Sequence, residues 1–232
     1  MNRLILPGLT AFSLVLGACA SPPVHYHTLL PVLENASSAQ APSGFLIDVL
    51  AVGIPAHLDQ PQLVVRQGLT GIAVLDGERW AGPLGEELRN ALSAELASRL
   101  KTQDVAGLTA PAHKPVLRLK VQIRRLDAWL NHKVRLDADW ALRFTDEATN
   151  VTPRLVCSGQ FEEPVPGGYP ELVLGQQRLI AALADRISAD ARNWEHSRTA
   201  DCSKSDAATA DTQRTAKKFW PEERTGFRHP PE

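Results

Sequence analysis

Apolar residues recur at two different spacings along this chain, and the change of spacing separates strands from helices. The spacing is two in three successive segments, "VLRLKVQI", "VRLDADWALRF" and "RLVCSGQFEE". Alternation of this kind places one side of a strand against a core and the other side in water. The three segments therefore predict an antiparallel meander with one apolar face.

Two other segments follow the helical spacing of three and four residues. The first begins at Pro83, a residue type that suits the first turn of a helix, and the second runs from about Pro170 to Trp194. Each carries one apolar stripe, as expected of a helix that packs on a core. The stripe of the first helix is Leu84, Leu88, Ala91, Leu92, Leu96 and Leu100, and that of the second is Val173, Leu179, Ile180, Leu183, Ala184, Ile187, Ala191 and Trp194.

Shorter apolar runs precede the first helix. "VHYHTLL", "FLIDVLAVGI", "QLVVRQ" and "GIAVLDG" have the lengths and the bounding turn residues of strands. The order strands, helix, strands, helix predicts an α+β fold, with a mostly antiparallel or mixed sheet and two amphipathic helices packed on it.

The amino terminus has the pattern of a cleaved signal. Arg3 precedes an apolar stretch from Leu4 to Leu16, which as a helix would be about 20 Å long, too short for a hydrocarbon core of about 30 Å. The residues "LGAC" at 16–19 resemble a bacterial lipobox. We therefore expect residues 1–18 to be a lipoprotein signal peptide and Cys19 to be the acylated first residue of the mature chain. An ordinary secretory signal with a nearby cysteine is the alternative.

The residue after the predicted anchor bears on localisation. It is Ala20, whereas an Asp at this position commonly marks Gram-negative lipoproteins that stay in the inner membrane. The resemblance to lipoproteins therefore implies the outer membrane, with the protein lipid-anchored on the periplasmic face.

Composition sets the domain boundaries and excludes some partners. The formal net charge is −1, which gives no electrostatic case for binding nucleic acid.

We expect a single periplasmic domain over residues 19–195. Residues 196–232 contain no Leu, Ile, Val or Met, which predicts a polar, disordered tail. Whether Cys157 and Cys202 pair stays open, as does the role of the tail.

Motifs that would indicate an enzyme are missing from the sequence. It contains no Gly-x-Ser-x-Gly, His-Glu-x-x-His, Walker or Gly-x-Gly-x-x-Gly pattern. His25 and His27 would share one strand face but lack an evident third metal ligand. Asp137 and Asp139 share a face in the same way, and a charge-balanced solvated surface explains them as well as acid–base chemistry does. We therefore predict no catalytic residue, no metal site and no cofactor.

Two longer stretches have a recognisable pattern. They are "VGIPAHLDQPQLVVRQG" at residues 52–68 and "ERWAGPLGEEL" at residues 78–88, and "HYHTLL" lies near the mature amino terminus. Together they resemble the PqiC-type family of ABC-type transport auxiliary lipoproteins over approximately residues 19–194. Gln60 stands where that family is expected to carry a basic residue. The residues that match the pattern are Tyr26, Thr28, Leu29, Pro55, Leu58, Asp59, Pro61, Val64, Arg66, Arg79, Trp80, Pro83 and Leu84.

The resemblance implies a non-enzymatic auxiliary subunit of an envelope lipid-transport system. Its expected partners are a periplasm-spanning Mce-domain protein and an inner-membrane permease or ABC transporter, with the chain docking the former at the outer membrane and supporting membrane integrity. The transported lipid, its direction and any homo-oligomer remain open. A lipoprotein cofactor of another envelope machine, such as a cell-wall synthase or a lipopolysaccharide exporter, is the alternative function.

The same resemblance suggests which residues touch a partner. The expected partner-contact residues are Leu58, Asp59, Gln60, Arg66 and Arg79. Two prolines hold this part of the chain extended, and Asp59 suits a turn. A rigid connector between strands is the alternative interpretation of the same segment.

Overall fold

The computed structural model describes residues 23–32, 41–109, 111, 114–145, 154–197 and 201–203. The predicted signal peptide, the predicted anchor Cys19 and residues 204–232 of the predicted tail lie outside the described residues.

The described chain has the predicted order of strands, helix, strands, helix, which confirms the α+β class. Its elements are β1 (His25–His27), β2 (Leu46–Val49), β3 (Gln62–Gln67), β4 (Gly71–Trp80), α1 (Leu84–Leu100), β5 (Val116–Trp129), β6 (Lys133–Thr145), β7 (Arg154–Pro164) and α2 (Tyr169–Ser197), with a short 3-10 helix at Ala56–Leu58.

The strands form two mixed sheets. The large sheet has the order β2-β5-β6-β7, in which β5, β6 and β7 are the predicted antiparallel meander and β2 runs parallel to β5. The small sheet has the order β1-β4-β3, with β1 parallel to β4 and β3 antiparallel to it. The sequence pattern predicted the strands but did not show that they belong to two separate sheets.

Strand β5 is longer than its alternation predicts. The alternation of inward residues ends at Ile123, yet the strand continues to Trp129. Its pairing with β6 shifts register between Ile123 and Arg125, which marks a bulge. A bulge inserts one residue and moves the following side chains to the other parity. Leu126 and Ala128 therefore point to the core after the bulge and are buried.

Both predicted helical stripes are buried in one continuous core. Helix α2 packs on β6, β7 and α1. At the centre of this core Trp140 donates a 2.9 Å hydrogen bond from Nε1 to Oδ2 of Asp190, a carboxylate that is fully buried. This bond satisfies both polar groups inside the core, where an unpaired carboxylate would be costly.

The carboxyl-terminal end of the domain is attached to the large sheet. Cys157 on β7 and Cys202 form a disulfide that joins positions 45 residues apart, which settles the pairing that the sequence left open. Beside it, the backbone N–H of Ser203 donates to Oδ1 of Asp190 at 2.6 Å. Helix α2 also extends two residues beyond the predicted boundary at 195. Residues 201–203 therefore contact the core.

Candidate functional site

The loop at residues 55–61 connects β2 to the small sheet and contains most of the expected partner-contact residues. The 3-10 helix orders it, with backbone N–H groups of Leu58 and Asp59 donating to the carbonyl oxygens of Pro55 and Ala56. The Gln60 side chain donates from Nε2 to the carbonyl oxygen of His57 at 2.9 Å. The loop is therefore held by its own hydrogen bonds.

Within this loop the side chains point in different directions. Leu58 is buried and belongs to the core, whereas Asp59 is exposed and Gln60 is half-buried. The buried Leu58 side chain packs in the core and so stabilises the loop, and the polar residues after it form the accessible part.

Arg66 forms an ion pair within the chain. Its Nε donates to Oδ1 of Asp127 at 2.7 Å, and the Asp127 residue is only 5% exposed. Arg125 lies 3.6 Å from the other carboxylate oxygen. Because a buried carboxylate without a partner is strongly destabilising, Arg66 fastens the small sheet to β5.

A shallow cleft lies beside this ion pair. It separates the β3–β4 hairpin from the last part of β5. It is lined by His57, Leu58, Val64, Val65, Arg66, Ile72, Leu126, Asp127 and Ala128. Sites for small molecules usually enclose about 300–1,000 Å³. This cleft encloses essentially no space for even a water-sized sphere, so it is too small for a lipid with two acyl chains.

Arg79 lies apart from Arg66. It pairs in register with Gln62 on one side of β4 and with Tyr26 on the other. Its Nε donates to the carbonyl oxygen of Asp76 at 3.3 Å, and no carboxylate of the described residues forms an ion pair with it. The structure thus brings Leu58 and Arg66 to the cleft, and it leaves Arg79 beside β1.

The segment at residues 23–32, here called the N-terminal segment, is held by two acidic side chains. The Glu78 carboxylate contacts His25 Nδ1 at 3.1 Å and His27 Nε2 at 2.5 Å. Glu87 accepts from Thr28 Oγ1 at 2.7 Å and from the Leu29 backbone N–H at 2.9 Å. These contacts link β1 to β4 and to the first turn of α1.

A third side chain completes this attachment. Gln177 on α2 donates from Nε2 to the carbonyl oxygens of Thr28 and Leu30, at 3.0 and 3.3 Å. Sequence reasoning missed Glu78, Glu87 and Gln177. One of them had a signal, because Glu87 lies with Leu84, Leu88 and Ala91 on the apolar stripe of α1, where a buried carboxylate needs a partner.

The candidates for acid–base and metal chemistry have other partners. Asp137 binds Arg135, a hydrogen bond that raises the pKa of Arg135, and Asp139 binds Arg124 at 2.6 Å. His25 and His27 both face Glu78. Among the described residues no group of three or more His, Cys, Asp or Glu side chains is arranged to hold a metal. None of the helices in the described ranges has the length and apolar character needed to cross a bilayer.

A match between this sequence and a family of known proteins identifies the family of the chain. The family of ABC-type transport auxiliary lipoprotein components matches residues 27–188, which is more than half of the chain. This chain belongs to that family. The match begins at the last residue of β1 and ends within α2, so the matched residues of this auxiliary lipoprotein include the loop at 55–61, α1 and the strands β2 to β7.

Curated relatives agree with the family. This auxiliary lipoprotein is 26% identical over 136 residues to the intermembrane transport lipoprotein PqiC of Escherichia coli and to that of Shigella flexneri. The alignments cover 58% of this chain and 72% of each relative. The expected resemblance to a PqiC-type family is therefore confirmed.

Solved structures support the fold. One uncharacterized protein is similar with a TM-score of 0.56 and 19% identity, covering 73% of this chain and 99% of that one. A Xanthomonas campestris protein is similar with a TM-score of 0.52 and 13% identity, covering 76% and 99%. At these identities the likeness concerns the fold alone.

Proposed function

We propose that this chain is a non-enzymatic auxiliary lipoprotein of an ABC-type, Mce-containing lipid-transport system. In this proposal it docks the periplasm-spanning component at the outer membrane and supports membrane integrity. The observation that carries the proposal is the family match over residues 27–188. The curated relatives, which are named intermembrane transport lipoproteins, support the same direction.

The role is that of an adaptor and not of a lipid carrier. The space between the helices and the large sheet is filled by buried side chains of one core. The cleft beside Arg66 is smaller than the usual range for small-molecule sites. These two observations support a role in which the partner protein, and not this domain, carries the lipid.

The anchor in this proposal is Cys19, acylated after removal of residues 1–18. Stable membrane attachment requires more than one acyl chain of myristoyl size, and bacterial lipoproteins carry several. Ala20 supports the outer membrane as the destination. The protein is then held on the periplasmic face.

The partner-contact surface consists of the accessible part of the five expected residues. Asp59, Gln60 and Arg79 meet the Mce-domain partner, since Asp59 is exposed and Arg79 has no described ion-pair partner. Leu58 and Arg66 act indirectly, because both are bound inside the chain and fix the shape of the loop. The inner-membrane permease or ABC transporter is reached through the Mce-domain protein.

A crosslinking pull-down of the full chain from outer membranes tests the proposal, with captured proteins identified by mass spectrometry. An Mce-domain protein should be recovered, and its yield should fall for Cys19→Ala and for Arg79→Glu. Arg124→Glu is the control, because it reverses the charge of another exposed arginine, which pairs with Asp139 on the large sheet. Equal losses for both arginine variants would contradict the proposed contact surface.

The captured partner also tests the function itself. Recovery of a cell-wall synthase or a lipopolysaccharide exporter component would favour the alternative function. Recovery of no envelope protein would contradict the adaptor role.

A further inference from the structure

The N-terminal segment exposes apolar side chains in an unusual concentration. Within ten residues it carries Val24, Tyr26, Leu30 and Val32, of which Tyr26 is 68% and Val32 is 91% exposed. Single exposed apolar residues are normal on protein surfaces, but a group of them on one short segment indicates a contact surface.

A neighbouring helix extends this group. Gln177 of α2 binds the carbonyl oxygen of Leu30, and Leu174 lies one turn earlier on the same helix and is exposed. Residues three apart on a helix share a face. Leu174 therefore continues the exposed apolar surface of the N-terminal segment onto α2, and we call these five residues the apolar patch.

The position of the predicted anchor, close to the N-terminal segment in the sequence, indicates which partner covers the apolar patch. Cys19 precedes Pro23, the first described residue, by four positions. Four residues span at most about 14 Å when fully extended. An acyl group on Cys19 would thus keep the beginning of the N-terminal segment within about 14 Å of the bilayer interface.

The N-terminal segment is also fixed to the domain, so it is not a loose tether. Glu78, Glu87 and Gln177 attach it to β4, α1 and α2. A short linker joined to a fixed segment restricts how far the domain can turn away from the membrane. The apolar patch begins at Val24, five positions after Cys19.

We propose that the apolar patch contacts the lipid bilayer and orients the domain on the membrane. Tyrosine suits such a position because its ring is apolar and its hydroxyl group can reach the headgroups and water. The acylated Cys19 holds the chain on the membrane, and the patch adds a second contact that restricts how the domain is oriented there. This inference rests on the lipid anchor of the proposed function.

The chemistry of the cysteines makes a direct test practical. Cys157 and Cys202 are joined in a disulfide, and the thiol of Cys19 is consumed by acylation in the proposed function. A single introduced cysteine is then the only free thiol. Val32→Cys places an environment-sensitive fluorophore in the patch, and Leu108→Cys places it at a control position that is also exposed, at 71%.

The control lies at the other end of the domain. Glu87, which binds the N-terminal segment, is in the first turn of α1, whereas Leu108 lies eight positions after Leu100, the last residue of that helix. A helix of 17 residues is about 25 Å long. A probe at Leu108 should therefore remain in water when the patch meets the membrane.

The full lipidated chain is reconstituted in vesicles of phosphatidylethanolamine and phosphatidylglycerol, and flotation measures the anchor separately. Nitroxide-labelled phospholipid should quench the probe at position 32 several-fold more strongly than the probe at position 108. Iodide in the aqueous phase should give the opposite order. A Tyr26→Glu substitution should reduce the nitroxide quenching at position 32, whereas Leu108→Glu should not.

The outcomes separate the patch from the anchor. If the chain floats but iodide reaches both probes equally, the patch inference is wrong and the anchor stands. If the probe at position 32 is shielded from iodide without nitroxide quenching, a protein covers the patch, such as a second copy of this chain, and the inference is again overturned. A chain that does not float contradicts the anchor and the patch together.

Discussion

The helix-covered large sheet and the N-terminal segment are held to the domain by different forces. The large sheet is fixed by a continuous apolar core that includes both helical stripes. The N-terminal segment has one fully buried side chain, Leu29. It is otherwise attached by the pairing of β1 with β4 and by hydrogen bonds to Glu78, Glu87 and Gln177. Apolar burial can be recognised from periodicity, whereas attachment by a few polar side chains leaves little trace in the sequence.

The largest effect should come from the centre of the core. Replacing Trp140, which is 1% exposed, by Ala should lower the free energy of unfolding by about 3–5 kcal/mol. The substitution leaves a cavity and also removes the Nε1–H donor from the buried Asp190. Urea denaturation followed by circular dichroism measures the change, and a loss below about 1 kcal/mol would contradict the assigned core position.

The disulfide should have the next largest effect. Cys157→Ser together with Cys202→Ser should lower the free energy of unfolding by about 2–4 kcal/mol, because the unfolded chain is no longer constrained. Reducing the unsubstituted protein should produce the same shift in the urea midpoint. A shift in the serine variant without a shift in the reduced protein would show that the serine side chains, and not the missing bond, cause the loss.

The attachment of the N-terminal segment can be broken selectively. Glu87→Ala should lower the free energy of unfolding by about 1–3 kcal/mol, since the Thr28 hydroxyl and the Leu29 N–H both lose their acceptor. Hydrogen exchange at residues 28–30 should accelerate while exchange in β6 stays slow. Glu86→Ala is the matched control, because Glu86 is exposed in the same helical turn and carries the same charge. Equal acceleration in both variants would attribute the effect to the helix terminus.

The smallest effects distinguish the two arginines of the expected partner-contact set. Arg66→Ala should lower the free energy of unfolding by about 1–2 kcal/mol, because Asp127 keeps only the more distant Arg125. Arg79→Ala should change it by less than about 0.5 kcal/mol, since its one hydrogen bond is exposed and 3.3 Å long. Thermal unfolding of the two variants under identical conditions tests the difference. Equal losses would mean that Arg79 is as structural as Arg66.

The sequence predicted part of the candidate site but not its arrangement. The two prolines predicted an extended segment, and this was wrong at residues 56–58, which form a 3-10 helix. The pattern could not show that Arg66 is used by Asp127, a residue 61 positions away. The partner of a charged side chain depends on which strands become neighbours, and that is decided only when the sheets assemble.

The sequence alone determined the order of the elements, the buried faces of both helices and the inward faces of the meander. These features follow from local spacing, because a residue's position within a helix or strand fixes which way its side chain points. Only the tertiary structure decided the division into two sheets, the bulge in β5, the Cys157–Cys202 pairing and the attachment of the N-terminal segment. Each of these depends on contacts between residues far apart in the chain, and such contacts have no period that a sequence can display.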